Sequence, residues 1–165
     1  MYNPIQIANF FILKAKEENI KVGHLKLQKL LYYAYGWYLA VKGSAQSQLF
    51  SEPIQAWKYG PVVPSIYHEC KSYGDEIITE PLKKKPHFAN IYGYTEVDPP
   101  TDAEDVEFLE KVWRTYKNFT GFQLSDATHS EGSPWHIATE GGTKVRFGQD
   151  IDDNLIYDYF RERLS

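Results

Sequence analysis

Cysteine is almost absent from this sequence. Among its 165 residues the chain has a single cysteine, Cys70. One thiol cannot form an intramolecular disulfide, and a zinc site built from several cysteines is excluded. Chains without disulfides are typical of reducing compartments, so we expect a cytoplasmic protein.

Long apolar runs are also missing. No stretch approaches the roughly 18 consecutive apolar residues that a membrane-spanning helix requires,. The residues from Met1 to Pro4 contain no basic segment that is followed by an apolar one, which is the pattern of a secretory signal,. We therefore expect neither membrane insertion nor secretion.

An excess of basic charge is missing as well. The formal net charge is −4, and basic residues are scattered except for the triplet Lys83–Lys85. Binding to nucleic acid through phosphates needs a basic surface, so we expect no nucleic-acid partner. The glycine-rich motifs that hold nucleotide phosphates are absent too,. We expect no cofactor.

Aromatic residues, in contrast, are abundant. Tyrosine, phenylalanine and tryptophan together make up 16% of the chain. Tyrosine and tryptophan combine a large apolar area with a polar group, which suits both protein cores and protein interfaces. At this length a chain buries roughly 70% of its extended surface, so we expect one domain that spans residues 1–165.

Apolar residues recur at helical spacing along most of the chain. The interior Gly36 of the second predicted helix indicates a close approach by another backbone. Cys70 lies on the apolar side of its predicted helix, so we expect a buried thiol. Capping residues and first-turn prolines place the helix starts at Asn3, Gly23, Pro64, Thr101, Thr120, Ser133 and Asp150,.

The spacing of apolar residues changes between Leu49 and Val63. The segment Pro53–Tyr59 alternates in polarity and is followed by Gly60-Pro61, which predicts a short strand or a hairpin,. Residues 75–100 are rich in proline and poor in aliphatic side chains, so we expect an irregular excursion with a little strand near its end. The predicted fold is mainly α, a compact orthogonal helical domain with a small β element.

A polar cluster late in the sequence could carry chemistry. Asp126, His129, Glu131 and His136 are residue types that bind zinc or iron, and their cluster leaves a metal-dependent or histidine-based enzyme as an alternative,. Gly132–Pro134 interrupts any helix between the two histidines, so their side chains need not share a face. The other interpretation is structural, with these groups satisfying backbone atoms at helix ends. A DNA-binding regulator is a second alternative.

Four segments of the chain stand out together, in the order Lys26–Ala34, Phe50–Pro64, Leu124–His129 and Ser133–Trp135. In this combination they resemble the Panacea antitoxin-domain family, which includes SocA-like antitoxins and the phage-associated GepA-like proteins. The resemblance implies an antitoxin that neutralises a cognate protein toxin by direct contact, the toxin usually being encoded by an adjacent gene. In one branch of the family it also implies an adaptor that delivers the toxin to a protease.

The aromatic and basic residues within these segments suggest where a partner binds. We expect a surface that is formed or braced by Trp57, Lys58, Tyr59, His129 and Trp135,. The alternative for the two tryptophans is that they are core rings which hold the β element to the helices. The sequence leaves the oligomeric state open.

Overall fold

The computed structural model describes residues 1–84, 93 and 95–165. Within these residues the chain is mainly helical, as the spacing of apolar residues predicts. None of the described helices is both long and apolar enough to cross a membrane. The helices in this part of the chain are α1 (Pro4–Glu18), α2 (His24–Lys42), α3 (Pro64–Cys70), α4 (Ala103–Tyr116), α5 (Gly121–Thr128), α6 (Pro134–Ala138) and α7 (Asp153–Glu162).

Two short antiparallel strand pairs and a 3-10 turn at Lys71–Tyr73 accompany the helices. The strands are β1 (Gln55–Trp57) paired with β2 (Gly60–Val62), and β3 (Lys83–Lys84) paired with β4 (Thr95–Glu96). The first pair confirms the hairpin predicted from the alternating segment. Two residues, Lys58 and Tyr59, lie between the end of β1 and the start of β2, and they form the tip of this hairpin.

Helix α2 is surrounded by other elements and contacts α1, α4, α5 and α7. Every residue from Lys26 to Gly36 is buried, which is the pattern of a helix covered on all sides,. Burial of its leucines and tyrosines contributes stability at roughly 25 cal/mol per Å² of apolar surface. The polar residues in this stretch, Lys26, Gln28 and Lys29, must therefore find hydrogen-bond partners inside the protein.

The neighbour that packs closely against Gly36 is an aromatic ring, not the backbone of another segment. A Cβ atom at position 36 would lie 2.1 to 2.6 Å from three ring carbons of Phe160. The prediction of a backbone neighbour is therefore wrong. The Phe160 ring fills the space that the missing side chain leaves, and this contact seats α7 against α2.

The helix starts agree with the sequence except at two caps. The caps of α4 and α7 are Asp102 and Asp152, whose carboxylates accept hydrogen bonds from first-turn N–H groups, so the predicted caps Thr101 and Asp150 are wrong. An aspartate both accepts this bond and places negative charge at the positive end of the helix. The predicted caps that the structure confirms by hydrogen bonds are Asn3, Thr120 and Ser133.

The predicted excursion at residues 75–100 includes the part of the chain, 85–92 and 94, that lies outside the described residues. Its described first part is anchored, because Ile78 and Leu82 are buried. The strand expected near its end is present as Thr95–Glu96. Its partner is Lys83–Lys84, the exposed first part of the lysine triplet.

Candidate functional site

The β1–β2 hairpin carries three of the five residues predicted at a partner-binding surface. Trp57 is half-buried at the end of β1, whereas Lys58 and Tyr59 are exposed at the tip. Tyr59 is 69% exposed, and the Lys58 ammonium lies 5.5 Å from the centre of its ring. The tip therefore presents an aromatic ring and a cation to solvent, two groups that commonly anchor protein interfaces.

Helix α2 holds this hairpin through two buried polar side chains. The amide of Gln28 donates to the carbonyl oxygen of Val63 at 3.1 Å and accepts from the N–H of Val63 at 2.8 Å. The amino group of Lys29 donates to the carbonyl oxygen of Pro61 at 2.9 Å. These bonds satisfy buried groups on both sides, so they fix β2 and its exit to the core.

Gly60 lies where the hairpin meets both α2 and α5. Its φ angle is +113°, a conformation that residues with a Cβ atom rarely adopt,. A Cβ atom here would also lie 2.9 Å from Lys29 Nζ and 2.9 Å from Thr128 Oγ1. Both the backbone conformation and the lack of space therefore require glycine at this contact.

Trp135 and His129 brace the hairpin from the side. The indole N–H of Trp135 donates to the carbonyl oxygen of Trp57 at 2.7 Å, and the Trp135 ring is buried. The His129 ring packs against it with 4.2 Å between ring centres, and His129 Nδ1 donates to the carbonyl oxygen of Ser125 at 2.7 Å. Because a carbonyl oxygen can only accept, that bond places a proton on Nδ1. The predicted residues are thus neighbours, and Trp135 is a core ring.

A groove of about 1240 Å³ lies beside the hairpin tip. Its lining includes His129, Tyr59 and two phenylalanines, Phe119 and Phe122, which are 46% and 78% exposed. Its volume exceeds the roughly 300–1,000 Å³ that most small-molecule sites enclose. Residues around the start of α2, residues 74–75 and other residues of the α4–α5 connection and α5 complete the lining.

Sequence reasoning did not single out Phe119 or Phe122. A signal was available, because α5 buries Leu124 and Thr128 while Phe122 lies two positions from Leu124. Two positions correspond to about 200° around a helix, which places the Phe122 ring on the opposite face. A large aromatic residue away from the apolar stripe of a short helix indicates an exposed ring.

Three basic groups near the start of α2 have lowered pKa values. Burial lowers the pKa of Lys29 to about 7 and also lowers the pKa of Lys26. Burial first, and then the charge of Lys29, lower the pKa of His24. Among the described residues, no carboxylate lies within 4 Å of either lysine, so no ion pair offsets the cost of burying their charge,.

The four residues considered as metal ligands do not come together. In the described part of the chain, no three His, Cys, Asp or Glu side chains are grouped as metal ligands would be. His129 is engaged as above, and His136 Nδ1 accepts a hydrogen bond of 3.4 Å from the N–H of Gly132. The structure therefore does not assemble the metal site that Asp126, His129, Glu131 and His136 left open in the sequence.

Comparison with known proteins identifies the family. Residues 27–136 match the family described as "Antitoxin SocA-like, Panacea domain". The chain is 35% identical to Antitoxin SocA of Caulobacter vibrioides (strain NA1000 / CB15N), over 94% of this chain and 80% of that protein. No solved structure matches the chain. The matched range contains the hairpin, α5 and Trp135, and so most of the site described above; the chain belongs to the SocA-like antitoxin family with a Panacea domain.

Proposed function

We propose that this protein is an antitoxin that neutralises a protein toxin by direct contact, through the surface around the hairpin tip. Membership in an antitoxin family supports the role. The observation that supports the surface is the exposed Tyr59 ring, which stands on a hairpin whose neighbours are buried and hydrogen-bonded. A hairpin backbone held in this way loses little conformational entropy on binding, so the Tyr59 ring that it carries can serve as an anchor.

Hydrogen bonds from two neighbouring helices fix the backbone of the hairpin tip. Ser125 Oγ donates to the carbonyl oxygen of Tyr59 at 3.2 Å, and Trp135 holds the carbonyl of Trp57. Helix α5 and helix α6 therefore both bind the turn that carries Lys58 and Tyr59. The exposed side chains are positioned by backbone contacts and remain available to a partner.

The test begins with the gene next to the one that encodes this chain. Its product is expressed in bacteria alone and together with this protein, and growth is measured. We expect the neighbour to inhibit growth and the wild-type chain to relieve the inhibition. Purification of the neighbour with the tagged chain must then show direct association. A toxic neighbour that this chain neither binds nor neutralises would contradict the proposal.

Tyr59→Ala and Lys58→Ala test the surface. We expect Tyr59→Ala to lose most of the neutralisation and Lys58→Ala to lose less, because exposed charges contribute little to affinity. Val41→Ala is the control, since Val41 is exposed on α2 about 26 Å from its start, given 1.5 Å of rise per residue,. Full neutralisation by a folded Tyr59→Ala variant would place the interface elsewhere.

The proteolytic-adaptor role implied by the family resemblance stays a prediction. It requires that the toxin be degraded faster when this protein is present. The half-life of the toxin, followed after protein synthesis is stopped, measures this directly. An unchanged half-life with full neutralisation would leave direct binding as the mechanism.

A further inference from the structure

The groove beside the tip combines exposed aromatic rings with two lysines, Lys21 and Lys26, that have no carboxylate partner among the described residues. Elsewhere in the described residues, several lysines pair with glutamates within 4 Å, among them Lys14 with Glu110 and Lys42 with Glu104. At the groove, Lys117 likewise pairs with Glu18 at 2.7 Å, but Lys21 and Lys26 line the wall without such a carboxylate in the described part of the chain.

The ammonium group of Lys26 can donate further hydrogen bonds. Its amino group donates to the carbonyl oxygen of Lys117, its one recorded acceptor in the described structure, while a lysine ammonium has three N–H donors,. The side chain is largely buried, so burial disfavours its charge, as the lowered pKa shows. A carboxylate that enters the groove would stabilise this charge more strongly than a carboxylate at the same distance would in bulk water, because the local dielectric constant is lower.

The aromatic side of the groove determines what must accompany such a carboxylate. Phe122 and Phe119 are exposed at the opening, and an exposed ring of this size gains most by covering apolar surface,. Two carboxylates, Asp75 and Asp126, also line the groove, so a segment that is acidic throughout would be repelled from part of it. The lining therefore fits an apolar segment with one or a few acidic residues.

We propose that this groove binds a segment of the toxin whose apolar side chains pack on Phe119 and Phe122 and whose acidic side chain pairs with Lys21 or Lys26. This inference rests on the proposed function and names the chemistry of its partner. Together with the hairpin tip, the groove forms one continuous binding face, since Tyr59 belongs to both.

The experiment measures affinity for the product of the neighbouring gene, once wild-type protein is seen to neutralise it. We expect Phe122→Ala to weaken binding about 30-fold, the loss typical of a central aromatic anchor. Val41→Ala should change affinity less than twofold, and thermal unfolding must show that both variants are folded.

Charge reversal tests the acidic side chain. Lys21→Glu should lower the association rate about tenfold at low salt. In 0.5 M salt the difference in rate between variant and wild type should become smaller, because salt screens exposed charges. Lys42→Glu is the control at the far end of α2, and it should leave the association rate unchanged.

A photoreactive amino acid at position 122 identifies the bound segment. We expect crosslinking to a toxin peptide that contains apolar residues and an aspartate or glutamate. Wild-type affinity in both Phe122→Ala and Lys21→Glu, or a crosslinked peptide without an acidic residue, would overturn the groove assignment while leaving neutralisation intact. Absence of neutralisation by the wild-type chain would instead overturn the proposed function, and this inference with it.

Discussion

The amino group of Lys29 donates a 2.9 Å hydrogen bond to the carbonyl oxygen of Pro61 from a position that is only 1% exposed. This contact joins the N-terminal part of α2 to the hairpin that carries the proposed binding face. Because burial lowers the pKa of Lys29 to about 7, its protonation changes close to neutral pH.

The first prediction is that Lys29 makes stability depend on pH. Unfolded lysine keeps its proton up to about pH 10.4, so between pH 7 and that value the unfolded state binds more protons than the folded state. Stability must therefore rise with pH in this window. From pH 7 to 9 the expected gain is about 2 kcal/mol in the free energy of unfolding.

Denaturant unfolding of wild type and Lys29→Met at pH 7, 8 and 9 measures this gain. The methionine variant loses the hydrogen bond at every pH and has no titrating group at position 29. The free energy of unfolding of wild type, relative to that of the variant, should therefore increase from pH 7 to pH 9. Cys70, whose pKa burial raises to about 12, acts in the opposite direction at higher pH but is present in both. Parallel pH profiles would refute a lowered pKa at Lys29.

The second prediction concerns Gly36 and Phe160. Gly36→Ala should destabilise the protein, since overpacking costs about 1–3 kcal/mol and the better helix propensity of alanine returns only about 1 kcal/mol. The ring of Phe160 is the cause, because its carbons lie as close as 2.1 Å to the added atom.

A double-mutant cycle separates this clash from other causes. In the Phe160→Ala background, Gly36→Ala should become neutral or stabilising, because the ring is gone and only the helix propensity remains. Denaturant unfolding of the four proteins gives the coupling. An equal loss of stability in both backgrounds would show that the ring is not what requires glycine.

The third prediction compares two tryptophans with equivalent hydrogen bonds. Trp135 donates to the carbonyl of Trp57, and Trp37 donates to the hydroxyl of Tyr116, both at 2.7 Å. Replacement of either by phenylalanine should cost about 1–2 kcal/mol of stability. Only Trp135→Phe should speed amide hydrogen exchange in the hairpin, because only that bond holds it. Equal exchange in the two variants would mean that Trp135 does not brace the hairpin.

The fourth prediction is that Cys70 is inert in the folded protein. Its side chain is fully buried, and burial raises the pKa of its thiol to about 12, so almost no thiolate is present near pH 8,. Maleimide labelling should be slow in buffer and should accelerate as urea unfolds the protein. A Phe147→Cys variant, with a fully exposed thiol, serves as the reactive control. Fast labelling of wild type without urea would contradict the buried position.

Local signals account for what could be predicted of the fold. Asn3 with Gln6 and Thr120 with Gln123 form capping boxes three residues apart, so a short stretch of sequence is sufficient to specify these helix starts,. The two misplaced caps differ by one and two residues, because a second residue that can cap a helix lies close to each predicted one, Asp102 after Thr101 and Asp152 after Asp150,.

The candidate site was only partly predictable. We expected from the sequence that Trp57, His129 and Trp135 lie close together, and they do. The sequence did not separate buried rings from exposed ones. It also missed Phe122 and the buried Lys29. The position of Phe122 on α5 indicates an exposed ring, but the exposure of Tyr59 and the burial of Trp135 depend on what distant parts of the chain cover.

The sequence by itself determined the helical fold, the hairpin and the antitoxin family, because helix spacing, caps and turns act over a few residues and the family segments are contiguous. The tertiary structure alone decided that Trp135 bonds to Trp57, 78 residues away, and that Phe160 fills the space at Gly36. Such contacts bring distant segments together, and they form only where many buried side chains pack at once. That packing is what leaves Tyr59 and Phe122 facing solvent.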